Sequence, residues 1–215
     1  MMPHAVANDR LSSQPSCFST RRWSAIKQAQ CLVIAAVWAA TLAAPGAASQ
    51  DRPPPSVNVE YDDNTSIARV TASIDILASP SAVYAVMIDC YHALRIVRGL
   101  ESCRVIDKSG DGKWDVREHI ISTSVFLPRV RNVFRSDYEQ NLRIRFHRID
   151  GDLRVSEGEW RLQPLAGGMA TRVTYHSRLA FFLPIPGFLI QQAIRQDIPD
   201  VLNALRRESL ASKVK

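Results

Sequence analysis

Two carboxylates one residue apart, Glu157 and Glu159, are the first residues in this chain whose types and spacing suggest chemistry. Paired carboxylates carry out acid–base and glycoside-cleaving reactions when both reach the same substrate. Alternate residues of a strand share a face, so this pair lies with Arg161, while Trp160 and Leu162 lie on the other face. Whether the glutamates face the core or the solvent depends on the hairpin that joins this strand to the preceding one.

The preceding strand, residues 142–149, alternates apolar residues with arginine and histidine. A two-residue hairpin loop of Asp150 and Gly151 would place Glu157 among the apolar residues. An odd-length loop with Gly151 in the left-handed conformation pairs Arg143 with Glu157 instead. Burial of an unpaired carboxylate costs several kcal/mol, so we predict the odd-length loop. The glutamates then form a solvated charge ladder with arginines and not an active site.

Glu118 is the other carboxylate whose alternation is compatible with a pocket. It alternates with Val116 and Ile120, and on the inner face of a sheet its pKa would rise and suit it to acid–base chemistry. A position at a sheet edge that faces water is the alternative. By the same alternation, His119 is expected to face outward with Arg117.

The sequence contains no convincing motif for catalysis or metal binding. The spacings of the histidines and cysteines do not fit a zinc site. Neither a glycine-rich phosphate loop nor a nucleophile elbow is present. We therefore predict no catalytic residues, no metal and no cofactor, which favours a protein that binds a ligand over one that transforms it.

The N-terminal segment has the order of a secretory signal. Residues 31–44 form an uncharged apolar run of 14 residues, preceded by four basic residues and followed by the small residues of 45–49. This run is short for a membrane span, which crosses about 30 Å of hydrocarbon. We predict that residues 1–49 are a cleaved signal peptide and that the protein is exported to the periplasm; an uncleaved membrane anchor is the alternative.

Removal of residues 1–49 changes what the charge and the cysteines imply. The full chain holds 27 Lys and Arg against 21 Asp and Glu, a net charge of +6; without that segment's four basic residues and one acidic residue it is +3. A mildly basic, exported domain is not expected to bind nucleic acid. Of the four cysteines only Cys90 and Cys103 remain, either bridged in an oxidising compartment or present as two buried thiols.

Residues 50–56 are expected to form a Pro-rich linker, and strands dominate the chain after it. Residues 67–77 alternate apolar and polar side chains, with the period of a half-buried strand. Ser79 is then suited to cap a helix that begins with Pro80. The strands that follow are joined by short turns, which favours an antiparallel sheet.

The chain closes with a long amphipathic helix that Pro199 is expected to kink. Its apolar stripe consists of Ile190, Ile194, Ile198, Val201 and Leu205. An antiparallel sheet with one apolar face must bury that face, and this helix is the available cover. We predict an α+β fold in which a curved antiparallel sheet of six to seven strands wraps around the long C-terminal helix.

The inner face of this sheet is either part of a filled core or the wall of an apolar pocket beneath the helix. The alternation of residues does not decide between the two. The residues expected to line a pocket are Ile74, Ile76, Glu118, Tyr138, Ile144, Phe146, Trp160, Val173, Tyr175, Leu179, Phe181, Ile190 and Ile194.

Five stretches of the chain carry a resemblance to a known family. They are ASIDILASPSAVYAVMID (72–89), GLESCRVI (99–106), RIDGDLRVSEGEWRLQPL (148–165), RVTYHSRL (172–179) and IRQDIPDVLNALRRES (194–209). In this order they resemble the START-like or SRPBCC superfamily, with its helix-grip fold, and within it the polyketide cyclase/dehydrase and coenzyme-Q-binding branch. The resemblance covers residues 57–210 and leaves residues 211–215 as a tail. After Asp89 the stretch CYHALRIVRGL departs from the family pattern, so relatives do not predict the pocket entrance.

The resemblance implies a cavity between the sheet and the C-terminal helix that holds lipids, quinones or polyketides. On that basis we expect a monomeric, exported carrier of a hydrophobic small molecule, with an aromatase or cyclase for a polyketide-like substrate as the alternative. The resemblance also places Cys90 near Cys103, which favours the disulfide. Residues 181–190, FFLPIPGFLI, are expected to form a gate or a lip that contacts a membrane, or else a buried strand-to-helix connection.

Overall fold

The computed structural model describes residues 53–122 and 129–212. The predicted signal peptide lies outside the described residues. In chain order the elements are β1 (Ser56–Asp62), β2 (Ile67–Ile76), α1 (Pro80–Met87), α2 (Cys90–Ile96), β3 (Leu100–Lys108), β4 (Trp114–Ile121), β5 (Val130–Glu139), β6 (Arg143–Gly151), β7 (Leu153–Leu165), β8 (Ala170–Phe181) and α3 (Gly187–Ser212).

The strands form one antiparallel sheet in the order β1-β2-β8-β7-β6-β5-β4-β3. The prediction of an α+β helix-grip fold is confirmed. The described part of the chain contributes eight strands to the sheet, more than the six to seven predicted, because β1 pairs along its whole length with β2. Val59 of β1 lies opposite Val70 of β2, and both side chains are buried, which fixes β1 as part of the sheet.

The first helix begins where the sequence predicts. Ser79 is extended, and its side chain accepts a hydrogen bond from the backbone N–H of Ala82, while Pro80 is the first helical residue. A short second helix follows at once, because Asp89 caps α2 by accepting from the Tyr91 N–H at 2.9 Å. Both helices therefore start at side-chain caps, as the preference for Ser and Asp at this position predicts.

Helix α3 is 26 residues long and contains Pro199. It packs on β1, β2, α1 and α2. The side chains of Ile190, Ile194, Leu202 and Leu205 are buried in these contacts. The predicted apolar stripe thus packs on the β1–β2 end of the sheet, and its members Ile198 and Val201 are half-buried.

The β6–β7 hairpin keeps the predicted faces but not the predicted register. His147 pairs with Glu157, so residues of the same face do meet, but Arg143 lies opposite Arg161 and not Glu157. The predicted tight loop is wrong because β6 continues beside β5 as far as Gly151. Asp152 then accepts from the Arg131 backbone N–H at 2.7 Å, which holds the turn against β5.

Candidate functional site

The glutamate pair lies on the outer face of the sheet, the face turned away from the core. Glu157 accepts a hydrogen bond from Arg178 at 2.8 Å, and Glu159 is paired with Arg161. On the neighbouring strand His147 lies opposite Glu157. These contacts are those of the charge ladder predicted from the sequence, and they leave the two carboxylates engaged with cations in solvent.

A groove of about 540 Å³ runs along this outer face. Its lining residues include Arg69, Arg145, Glu157, Glu159 and Arg178. Charged walls of this kind do not suit a hydrophobic ligand, for which pockets are mostly apolar. The candidate site for such a ligand is therefore the inner face.

The inner face and α3 carry most of the residues that the sequence analysis assigned to a pocket. Buried in the main core are Ile74, Ile76, Ile144 and Val173. In a second cluster, between α3 and strands β1 and β2, are Ile190 and Ile194, with Leu179 and Phe181 packed against them. Only half-buried are Tyr138, Phe146, Trp160 and Tyr175.

A row of rings crosses the inner face from β4 to β8. His119 meets Phe134 edge-on with ring centres 4.9 Å apart, and Phe134 meets Phe146 at 6.3 Å. Phe146 faces Tyr175 at 6.3 Å, and Tyr175 stacks on Trp160 at 4.1 Å. The row forms a continuous aromatic wall, the kind of surface on which apolar or aromatic molecules pack.

Gly158 allows the rings of Phe146 and Tyr175 to face each other. It lies opposite Phe146 on one side and opposite Ser177 of β8 on the other. A Cβ at this position would lie 2.9 Å from the Phe146 ring and 2.2 Å from the carbonyl oxygen of His176. Only glycine fits between these groups, so the aromatic wall depends on a residue that has no side chain.

The tyrosine rings on the inner face are largely enclosed by the protein. Burial raises the pKa of the hydroxyl groups of Tyr175 and Tyr138, so both side chains lie deep in the protein. Each nevertheless keeps part of its surface accessible.

A buried ion pair lies beside the rings. The guanidinium of Arg117 donates to both carboxylate oxygens of Asp115 at 2.8–3.1 Å, and also to the carbonyl oxygen of Ile88, the C-cap of α1. The Arg117 guanidinium carbon lies 6.0 Å from the centre of the Tyr138 ring, which meets the Tyr84 ring edge-on at 6.3 Å. The ion pair thus joins β4 to α1 and gives the aromatic wall a polar border.

The predicted placement of His119 and Arg117 on β4 is wrong, and of the two positions considered for Glu118 the inward one is excluded. Glu118 lies on the face opposite to the aromatic wall, where its carboxylate is held by Arg104 and Arg131, and these contacts lower its pKa. His119 and Arg117 occupy the inner face instead. The reason is that Arg117 carries its counter-ion, Asp115, two residues away on the same face, so both charges can be buried together.

Sequence reasoning also missed Phe134, the ring that connects His119 to Phe146. A signal for it exists, because the alternation that places Tyr138 on the inner face also places Ser136 and Phe134 there. The strand holding them is rich in charged residues, and this obscured the pattern.

The segment 181–190 presents an apolar lip at the start of α3. Four of its large side chains are 44–66% exposed, namely Phe182, Leu183, Phe188 and Leu189. The interpretation as a buried connection is excluded for these four. A pocket of about 250 Å³ lies at the base of the lip, lined on one side by Tyr61 and Arg154.

Cys90 and Cys103 form a disulfide, with Cα atoms 5.4 Å apart. It ties the first residue of α2 to β3. On its other side α2 is held to α3, since Glu208 accepts from Arg95 at 2.9 Å and contacts His92 at 3.0 Å. Helix α2 is therefore fastened at two places beside the core.

The described residues, 53–122 and 129–212, contain neither a cluster of metal ligands nor a helix that could cross a membrane. No group of three or more His, Cys, Asp or Glu side chains there is arranged to hold a metal ion. Within the same residues, no helix combines the length and the apolar character that a membrane crossing requires.

Comparisons with known proteins place this fold. Residues 76–206 match the family described as polyketide cyclase / dehydrase and lipid transport, which is more than half of the chain. No curated protein has a matching sequence.

Several solved structures are similar to this one. A STAR-related lipid transfer protein from Xanthomonas axonopodis is 17% identical, with a TM-score of 0.63, over 75% of this chain and 96% of its own. The Zhui aromatase/cyclase from Streptomyces sp. R1128 is 13% identical, with a TM-score of 0.59, over 69% of this chain and 96% of its own. The lipid transfer domain of human StarD13 is 12% identical, with a TM-score of 0.62, over 73% of this chain and 84% of its own.

These identities are low, and the structures establish the fold alone; the sequence match establishes the family. The chain belongs to the polyketide cyclase/dehydrase and lipid transport family.

Proposed function

We propose that this protein is an exported, monomeric carrier of a hydrophobic small molecule, which it holds against the aromatic wall of the inner face. The observation that carries the proposal is the continuous row of half-buried rings from His119 to Trp160. Apolar ligand surface transferred from water to such a wall contributes about 25 cal/mol per Å². Binding and not catalysis is the simplest use of this arrangement.

Family and neighbours support a ligand of this class. The family description includes lipid transport, and two of the similar structures are named for lipid transfer. The predicted signal peptide supports export, and the Cys90–Cys103 disulfide suits an oxidising compartment.

The proposal is tested by native mass spectrometry of the protein purified from the envelope of the producing bacterium. We expect a population carrying a bound apolar molecule that is released on denaturation, and a polypeptide mass that lacks residues 1–49. Phe146→Ser should weaken binding of the recovered molecule about ten-fold, because a ring contact is lost. Arg145→Ser, the adjacent residue on the outer face, is the matched control. A protein that carries no ligand and binds no apolar probe would contradict the proposal.

The exposed lip is proposed to contact a membrane transiently when ligand is exchanged. Burial of each large apolar side chain contributes about 1.5–3 kcal/mol, so the double variant Leu183→Ser/Phe188→Ser should bind phosphatidylcholine vesicles at least about 100-fold more weakly. The measurement is co-sedimentation with vesicles. Leu142→Ser serves as control, since Leu142 is 58% exposed but lies in the turn between β5 and β6. Equal binding by both variants would rule out the lip as the contact.

A cyclase-type enzyme is the second candidate, and a specific observation favours it. Arg117, His119 and Tyr138 bring polar groups to the inner face, and one similar structure is an aromatase/cyclase. Conversion of a linear polyketide analogue by the wild-type protein, lost in His119→Phe, would establish the enzyme. Binding of the analogue without conversion would favour the carrier.

A further inference from the structure

Two polar atoms at the β4–β5 end of the aromatic wall are buried without a partner. His119 Nε2 and Asn132 Oδ1 are shielded from solvent, and neither has a hydrogen-bond partner among residues 53–122 and 129–212. The two residues lie directly opposite each other in the β4–β5 register. Their Cβ atoms are therefore about 4.5–5.5 Å apart on one face of the sheet.

The chemistry of the two groups is complementary. Burial, with a smaller contribution from Arg117, lowers the pKa of His119 to about 4, so its imidazole is neutral and offers one N–H and one lone pair. The amide nitrogen of Asn132 donates to the Ser156 hydroxyl at 3.3 Å, which leaves its carbonyl oxygen as an acceptor. If the Asn132 amide is flipped, its NH₂ group takes the place of the carbonyl oxygen. The other imidazole tautomer then presents a lone pair in place of the N–H, so the two residues again offer one donor and one acceptor. Together the two residues offer one donor and one acceptor.

Leaving such atoms unsatisfied is costly. Each unpaired buried polar group costs about 1–3 kcal/mol, and native proteins satisfy nearly all of them with protein, water or ligand. These two lie where the ring row begins, since the His119 ring also packs on Phe134. We propose that the side chains of His119 and Asn132 turn these two atoms toward the hydrophobic ligand and bind a hydroxyl group on it, so that the ligand is a phenol or an alcohol. This inference rests on the proposed function.

A hydroxyl group fits these atoms better than other polar groups do. A single hydroxyl both donates and accepts, so it satisfies the Asn132 oxygen and the His119 N–H at once. A ketone or quinone oxygen only accepts and leaves Asn132 unpaired. A carboxylate would bring a charge to a neutral site, because the nearby Arg117 is already engaged by Asp115.

The test compares two ligands that differ only in this group, 2-naphthol and 2-methylnaphthalene, by equilibrium dialysis against the full-length protein. The quantity measured is the ratio of their dissociation constants, methyl compound over hydroxyl compound. We expect this ratio to fall about ten-fold in His119→Phe, which keeps a ring against Phe134, and also in Asn132→Leu. The same histidine-to-phenylalanine change at His147, on the outer face, should leave the ratio unchanged.

The possible failures are distinguishable. If wild type and both variants give the same ratio, the two atoms are satisfied by water only and the inference is wrong, while the carrier function stands. If the wild-type protein binds neither compound, the proposed function fails and the inference falls with it. Circular dichroism on heating identifies a variant that has lost its fold. If either His119→Phe or Asn132→Leu is unfolded, the ratio measured for the other variant tests the inference.

Discussion

Replacing Arg117 with methionine is expected to lower the free energy of unfolding by about 3–5 kcal/mol. The change removes one partner of a buried pair, and the Asp115 carboxylate, 7% exposed, is left without its cation. The carbonyl oxygen of Ile88 at the end of α1 also loses its donor. The measurement is urea unfolding followed by circular dichroism, with the midpoint and slope analysed together.

Two controls separate the buried pair from a general effect of losing an arginine. The double variant Asp115→Leu/Arg117→Met should recover part of the loss, because no charge then remains in the core. Arg178→Met breaks the exposed pair with Glu157 and should cost no more than about 1 kcal/mol. Equal losses for Arg117→Met and Arg178→Met would show that the inner pair is not buried as described.

The second large effect is expected from the disulfide. The double variant Cys90→Ser/Cys103→Ser should lower the free energy of unfolding by about 3 kcal/mol, because a loop of this length is no longer closed in the unfolded chain. The two residues are 13 apart in sequence. The same unfolding measurement, on the oxidised protein, the reduced protein and the variant, checks this value.

The reduced wild-type protein should behave like the double variant, since both lack the cross-link. Helix α2 is expected to remain folded in both, because Glu208 still holds His92 and Arg95. If the oxidised and reduced proteins unfold at the same urea concentration, the bridge does not contribute to stability.

How far the sequence predicts the site is clearest at the hairpin of β6 and β7. The cost of burying Glu157 fixed which face each residue occupies, and this result holds although the register differs by four residues. The register could not be predicted, because it depends on β6 remaining paired with β5 up to Gly151. That pairing involves a third strand, β5, which is not part of the hairpin.

Strand β4 shows the opposite case. Hydropathy alternation assigns charged residues to solvent, so it predicts an outward position for Arg117 and His119. In the structure Asp115 and Arg117 neutralise each other inside, and Glu118 is satisfied outside by two arginines. A pattern of single residues cannot reveal a pair that is buried as a unit. The sequence therefore predicts the inner-face position of Phe146, Trp160 and Tyr175, but not that of His119.

The central claim is that a hydrophobic ligand binds against the inner face, and the tryptophans allow it to be tested directly. Trp160 lies in the ring row, whereas Trp114 lies on β4 with the guanidinium of Arg135 over its ring at 4.4 Å. Trp114 pairs with Asp137 of β5, and both side chains lie on the outer face of the sheet. Trp23 and Trp38 are changed to phenylalanine in both proteins. Adding Trp114→Phe leaves Trp160 on the inner face as the one tryptophan, and adding Trp160→Phe leaves Trp114 on the outer face as the one tryptophan.

The measurement is titration of these two single-tryptophan proteins with a brominated naphthol, which quenches tryptophan emission on contact. We expect saturable quenching of Trp160 and none of Trp114 over the same concentrations. Quenching of Trp114 alone, or no saturable quenching of Trp160, would contradict it.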